Sequence, residues 1–409
     1  MAKTWSMKKR VVITGMGIIT AFGEGKKKNL DGLKNGKNCI EKISSFDTVQ
    51  YRGKTGGEIR DFVFNLPLKI LRPSRLDRAT HFLLTAFVEA TADAGLSENI
   101  DEETIIVIGT TLGGMMSGEK FFEECLAKGF SRAKPSLLLD YLPYYQGIRL
   151  IEEYDLNAEI VIISNACASG TNAIGYAFDR VRSGEVELAV SAGYDTMCEF
   201  TFGGFNSLMA ITPDLCRPFD KNRDGLVLGE GVGVLIMEEL DHALSRKAAI
   251  AGEIIGYGES SDAFHITRPD PAGKGAAVAM KRALEDANIK PGDVEYINAH
   301  GTATPYNDAA EAKAINDVFS SHALEIPVSS IKPMIGHLLG GAGTVEAIAT
   351  ILAMNNNFLP VNLNYNTLDA ECALNVISCP TQKAVRTAIS NSFGFSGVNA
   401  TLVIQKYEN

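Results

Sequence analysis

Short apolar, β-branched runs recur along the chain and alternate with longer stretches of helical spacing. Strands are predicted over 10–14 (RVVIT), 104–109 (TIIVIG), 159–164 (EIVIIS), 188–192 (LAVSA), 232–238 (VGVLIME), 250–257 (IAGEIIGY) and 294–298 (VEYIN), with later ones at 326–330, 386–391 and 399–405. Their apolar continuity predicts strands buried on both faces, as in the layers of α/β proteins. Helices are predicted over 75–94, where Leu76, Leu83, Leu84, Phe87 and Ala90 fall at helical spacing, and over 275–288, with Ala277, Met280, Leu284 and Ala287. Residues 341–356 are nearly all small or apolar, so that helix is predicted to be buried. The pattern is α/β with a mixed central sheet. The same strand–helix grammar occurs on both sides of a junction near residue 248. The chain is therefore read as two similar halves, 1–248 and 249–409, packed on each other.

One glycine-rich stretch, VVITGMGIITAFG (11–23), invites a nucleotide-binding reading. A dinucleotide fingerprint needs G-x-G-x-x-G, and after Gly15 and Gly17 the third glycine position holds Thr20. A tight strand-to-helix turn is expected instead.

Composition narrows the classes. The chain has 409 residues, 45% of them hydrophobic, enough for a sizeable core and too apolar for disorder. It has no uncharged apolar run of about 18 residues, so no membrane span is expected. The basic start leads into an apolar run too short for a secretory leader. A net charge of −10 disfavours nucleic acid as a partner. The seven cysteines are odd in number, scattered and without a C-x-x-C pair, which argues against a disulfide framework and places the chain in the reducing cytosol.

Cys167 stands apart from the other cysteines. In EIVIISNACASGTNAIGYAFDRVRSG (159–184) a buried strand ends near Ser164, and a helix of small residues starts around Ala168. Ala166, Ala168, Ser169 and Gly170 leave room for a sharp turn and a close approach to the sulfur. A helix N-terminus offers free N–H groups and a positive dipole end, which favour a thiolate and can hold an oxyanion. Two of the six histidines keep similar company: His300 in YINAHGTATPYND and His337 in SSIKPMIGHLLGGAG, each after a strand and among small residues. A cysteine with two such histidines points to acyl transfer. No H-x-x-x-H spacing accompanies them, so no metal is expected. His81, His242 and His322 are read as packing residues.

Taken in order, Ala166-Cys167-Ala168-Ser169-Gly170, His300-Gly301-Thr302-Ala303-Thr304, Lys332 and Gly336-His337 resemble the β-ketoacyl-[acyl-carrier-protein] synthases of the thiolase superfamily. RPFDKNRDGLVLGEGVGVLIME (217–238) and NSFGFSGVNATLV (391–403) extend the resemblance to nearly the whole chain, with the elongating synthase II branch and the ketosynthase subunits of type II polyketide systems both similar. The resemblance implies a thiolase-like fold, two βαβαβ halves in an α-β-α-β-α sandwich. It implies that Cys167 carries the acyl chain, that His300 and His337 face the malonyl thioester, and that Lys332 and Glu346 form the polar pair behind them. The N–H groups of Cys167 and Phe395 would form the oxyanion hole, with Phe395 as a gate. Thr302, Thr304 and Thr267 would hold a pantetheine arm, and Leu112 and Phe205 would wall the acyl pocket. No cofactor of the chain's own is implied, since phosphopantetheine arrives on an acyl carrier protein. A homodimer, or a heterodimer with a chain-length subunit, is implied as well.

Three departures from the family pattern are visible. Gly394-Phe395-Ser396-Gly397 replaces Gly-Phe-Gly-Gly, which suggests a stiffer gate. Met209 stands where the elongating synthases often carry arginine, and Pro333 where serine is usual. An acidic carrier needs a local basic patch, and Lys69, Arg72, Arg75 and Arg78 are the candidate. A thiolase reading is disfavoured, because no Cys-x-Gly turn lies near the C-terminus. An intact Cys167 argues against a non-catalytic chain-length subunit.

Overall fold

Each half of the chain lays down five strands in the same hydrogen-bonded order. The computed structural model describes residues 8–96, 100 and 103–408. The first half supplies Val11–Thr20, Thr104–Gly109, Ala158–Ile163, Leu188–Asp195 and Gly231–Glu239. The second supplies Gly252–Ser261, Tyr296–Asn298, Pro327–Ser329, Thr387–Phe393 and Val398–Gln405. Across the sheet both halves run third, second, fourth, fifth, first. In both, the second strand is parallel to the third and fourth, while the fifth is antiparallel to the fourth and first. The two first strands pair antiparallel through Val11–Ile13 and Gly252–Ile254, which joins the halves into one sheet. Two short strands, Gly23–Glu24 and Asn375–Val376, complete its 12 strands.

The two-residue period of a strand sorts side chains into three cores. Ile106 and Ile108 face an outer core with Phe82 and Phe87 of helix Arg78–Asp93. Their neighbours Ile105 and Val107 face a middle core with Ala173 and Ala177 of helix Ser169–Arg182 and Val345 and Ile348 of helix Ala342–Asn355. In the second half Leu402 and Ile404 join that middle core. Ile389 and Val403 turn to a third core with Met280 and Leu284 of helix Lys274–Ala287 and Ile315 of helix Pro305–Phe319. The layers are thus helix, sheet, helix, sheet, helix. A fully buried side chain such as Phe82 contributes about 1.5–3 kcal/mol through burial alone.

The expected turn at Gly15 and Gly17 is not there. The first strand runs on through both glycines to Thr20. Helix Arg78–Asp93 lies so close that a Cβ on Gly15 would sit 2.1 Å from the Ala90 carbonyl oxygen, and one on Gly17 1.8 Å from that of Ala86. These glycines serve helix–strand contact, not chain reversal. The helix itself starts later than the apolar pattern suggests, because Pro73–Arg75 forms a 3-10 turn and Asp77 caps it by accepting the Thr80 N–H. The periodicity did not announce helices Met115–Lys128, Tyr145–Tyr154, Glu199–Ser207 or Pro305–Phe319. No helix among the described residues is long and apolar enough to cross a membrane.

The middle layer positions the chemistry. Helices Ser169–Arg182 and Ala342–Asn355 touch at their N-terminal ends, where a Cβ on Gly343 would lie 2.2 Å from Thr171 Oγ1 and one on Gly170 2.7 Å from the Gly340 oxygen. That approach brings the turns before the two helices, carrying Cys167 and His337, into contact.

Candidate active site

Cys167 sits between strand Ala158–Ile163 and helix Ser169–Arg182, on a chain that reverses through Ala166 at φ 49°. A left-handed residue with a Cβ costs roughly 1–2 kcal/mol. The turn is held against that cost by Ser169 Oγ, which accepts the Asn165 N–H at 2.8 Å and donates to the Ala166 carbonyl at 2.6 Å. The Thr111 hydroxyl donates to the same carbonyl at 3.1 Å. The sulfur is buried, and this overturns the expectation of a resting thiolate. Burial pushes the thiol up to about 12, against the opposing pulls of the Lys332 ammonium and the Phe395 backbone N–H. Loss of solvent outweighs the helix end, so the group rests as a thiol at neutral pH.

His337 Nε2 lies 3.0 Å from the sulfur, and His337 Nδ1 accepts the Leu339 N–H at 3.3 Å. That second contact assigns the ring proton to Nε2, as a donor facing Cys167. The His300 ring stands 5.3 Å from that of His337, at 82° to it, and its Nδ1 is buried without a hydrogen-bond partner among the described residues. Burial first, and the Lys332 charge second, hold both imidazoles well below the ordinary histidine range. Both are neutral at pH 7 and can each donate one N–H.

Lys332 and Glu346 lie behind the histidines, as the resemblance implied. Lys332 Nζ donates to the His300 carbonyl at 2.5 Å and to Glu346 Oε1 at 2.5 Å, with both side chains buried. Burial pushes the Glu346 carboxyl up and Lys332 opposes it.

Three buried carboxylates that the sequence did not reveal hold the loops. Glu311 accepts the N–H groups of His300 and Gly301, each at 2.8 Å, and burial pushes it up to about 7. Asp308 accepts the N–H groups of Phe219, Thr302 and Ala303. Asp195 accepts from the Thr110 hydroxyl and from the N–H groups of Thr111, Leu112 and Gly340, and burial pushes it up to about 6. The last residue of an apolar run, as Asp195 is in LAVSAGYD, gives no periodic signal that it turns inward.

A pocket of about 370 Å³ opens onto Cys167, His300 and His337. Thr302, Thr304, Thr267, Phe205 and Phe395 line it, as expected. The Phe395 ring stacks on Phe205, with centroids 5.6 Å apart. Leu112 is not on the lining; it lies in an adjoining apolar cluster with Met115, Met116 and Phe205, its N–H held by Asp195. Ser396 takes φ 68°, a left-handed conformation that favours glycine. The serine therefore strains this pose, where the sequence suggested only a stiffer gate.

Two further expectations change. Lys69, Arg72 and Arg75 are exposed, but Arg78 leaves the proposed docking cluster. Its guanidinium bonds Glu230 at 2.6 and 3.0 Å and the Ile59 carbonyl at 2.6 Å, and lies over the Phe82 ring. The spacing argument against a metal also fails to apply. The donor atoms of Cys167, His300 and His337, drawn from three segments, lie within 4.8 Å of one another, a nitrogen and sulfur set that a soft divalent cation can use. Of the packing histidines, His81 stacks on Phe64 and His242 pairs with Glu238.

Known proteins share this fold and sequence. Residues 8–243 match the N-terminal domain of beta-ketoacyl synthase and residues 251–366 its C-terminal domain. The chain is 40% identical to a 3-oxoacyl-[acyl-carrier-protein] synthase 2 of Synechocystis sp., covering 98% of this chain and 99% of that protein. It is 37% identical to the protein of the same name from Staphylococcus aureus, covering 98% and 100%. Among solved structures, the ishigamide ketosynthase/chain length factor matches with a TM-score of 0.94 at 34% identity, covering 98% of this chain and all of that one. A type II polyketide acyl-carrier protein in complex with its ketosynthase matches at 0.87 and 29%, covering 98% and 100%. With both domain matches and relatives of such identity along nearly its full length, this chain belongs to the beta-ketoacyl synthase family.

Proposed function

We propose that the chain condenses an acyl thioester with malonyl-acyl-carrier protein, releasing CO2 and giving 3-ketoacyl-acyl-carrier protein. The observation that carries this reading is Cys167 Sγ set 3.0 Å from His337 Nε2, with the His300 ring 5.3 Å from that of His337. In the first step the sulfur attacks the carrier-bound acyl carbonyl. Its S–H proton leaves with the carrier thiol, and the acyl group stays on Cys167. In the second, malonyl thioester enters and its C–C bond to the carboxylate breaks. The enolate oxygen receives N–H donation from His300 and His337, which replace the metal such an anion would otherwise need. The enolate carbon then attacks the Cys167 thioester, and the cysteine sulfur departs as a thiolate that takes up one proton from solvent to restore the thiol. The chemistry asks for no cofactor of the chain's own, and the reducing cytosol suits a free thiol.

The assembly is proposed as a dimer. Strand Ala158–Ile163 ends the sheet with one edge unpaired among the described residues, and its isoleucines and valine are only partly covered. An apolar edge of this kind calls for a partner strand. A second reading, a ketosynthase subunit that needs a chain-length partner, is favoured by the 0.94 likeness to one chain of the ishigamide ketosynthase/chain length factor and by Met209 in place of arginine.

Intact mass spectrometry tests both. The purified chain is mixed with a medium-chain acyl-carrier protein and malonyl-carrier protein. A carrier product two carbons longer supports a self-sufficient synthase, and Cys167→Ala is expected to abolish it together with the acyl-enzyme. An acyl-enzyme without product favours the partnered reading. Thioester on the Cys167→Ala protein removes Cys167 from its role.

A further inference from the structure

The rim of the catalytic pocket carries one cation among the described residues, Arg268. It makes no ion pair or hydrogen bond to any described residue, and its guanidinium lies over the Tyr306 ring, 4.7 Å from the centroid. The one carboxylate on the lining, Asp224, is already engaged by Arg52 at 3.3 Å and the Thr212 hydroxyl at 2.6 Å. The chain's 49 acidic residues outnumber its 39 lysines and arginines, and many other arginines here are matched to acids. An unmatched guanidinium at the mouth of the catalytic pocket, with an aromatic ring beside it, is placed to meet an anion that enters with the substrate.

We propose that Arg268, backed by Tyr306, binds the phosphodiester of the carrier's pantetheine arm and sets the depth at which the thioester reaches Cys167. The proposal rests on the condensation reading above. Two parallel N–H groups match two phosphate oxygens, a fit that lysine cannot reproduce. Thr267, the preceding residue, and Thr304, adjoining Pro305 and Tyr306, line the same passage and continue it inward. Arg268 is a positioning residue here, since it touches the arm and not the reacting carbonyl.

The test dispenses with the carrier protein, so that acidic side chains on its surface cannot stand in for the phosphate. Acyl loading of Cys167 is timed by intact mass with two small thioesters, acyl-phosphopantetheine and acyl-pantetheine. For the unaltered chain the phosphorylated donor is expected to load about tenfold faster at subsaturating concentration, the size of one charge-assisted contact at an exposed rim. In Arg268→Gln that ratio is expected to fall to about one, and in Arg268→Lys to an intermediate value. A variant that is merely misfolded lowers both rates and leaves the ratio alone. An unaltered chain that loads both donors equally, or an Arg268→Gln ratio unchanged from the parent, overturns the proposal. If the unaltered chain is loaded by neither donor, the condensation reading falls and takes this proposal with it.

Discussion

The two halves share a strand order but end their second strands on different attachments. After Thr104–Gly109 the loop is held by Asp195, which also takes the Gly340 N–H from the opposite half. After Tyr296–Asn298 the loop is held by Glu311, from a helix of its own half. One carboxylate therefore ties the halves together, while the other fixes a single histidine. The third strands diverge as well. Ala158–Ile163 runs through a tight turn into its helix and presents Cys167, whereas Pro327–Ser329 leads into the short helix Lys332–Ile335 before His337. That insertion carries Lys332, so the buried ion pair behind the histidines belongs to one half and Cys167 to the other. Two halves of one strand order carry different side chains to the candidate site through different connections leaving the same strands.

Substitutions can break this division, and the largest effect is expected at Lys332. Lys332→Ala leaves Glu346 buried without its partner, where Glu346 Oε2 already lacks one, and should destabilise the fold by about 3–5 kcal/mol in urea titration. The same change has a signed pH consequence. The ammonium lowers both imidazole pKa values, so its removal raises them. Protonation then begins at higher pH, and the acid limb of the rate profile moves upward. It does not reach the ordinary histidine value, because burial is the larger cause and remains. Lys332→Ala with an unmoved acid limb would refute the electrostatic role.

Asp195→Asn comes next. It replaces one acceptor oxygen by a donor among four hydrogen-bond donors and should cost about 1–3 kcal/mol in thermal or urea unfolding. Because the contact spans both halves, acyl loading and condensation should weaken together. Glu311→Gln sharpens the contrast with a smaller stability loss, about 1 kcal/mol. It should slow condensation more than acyl loading, since only the His300 loop is released. Equal losses in the two steps would mean that Glu311 is not confined to its half. Ser396→Gly is expected to have the smallest effect, about 1 kcal/mol in favour of the present gate pose. It should show as slower acyl entry with an unchanged melting temperature.

Sequence reasoning reached the strands and singled out Cys167, His300 and His337, which the fold brings together, because each leaves a local mark. A buried parallel strand is a continuous apolar run, and Cys167, His300 and His337 sit among residues too small for ordinary packing. The resemblance added Lys332, Glu346 and Phe395, which no period would have selected. The features that stayed hidden depend on distant partners. Gly15 and Gly17 look like a turn until Ala86 and Ala90 are laid against them. Arg78 looks like a free cation until Glu230, 152 residues away, comes to meet it. Helical spacing of charges does not tell a docking face from an internal ion pair. The thiolate expectation failed for the same reason, since a helix end is visible in sequence and the burial above it is not.

The pairing of Val11–Ile13 with Gly252–Ile254 has a mechanical consequence. It stitches the halves at their first strands, and the shared middle layer clamps them again. Swinging one half away from the other would have to break both joints at once. Cys167 of the first half and His337 of the second therefore keep one separation, 3.0 Å, fixed by backbone pairing and by core packing together.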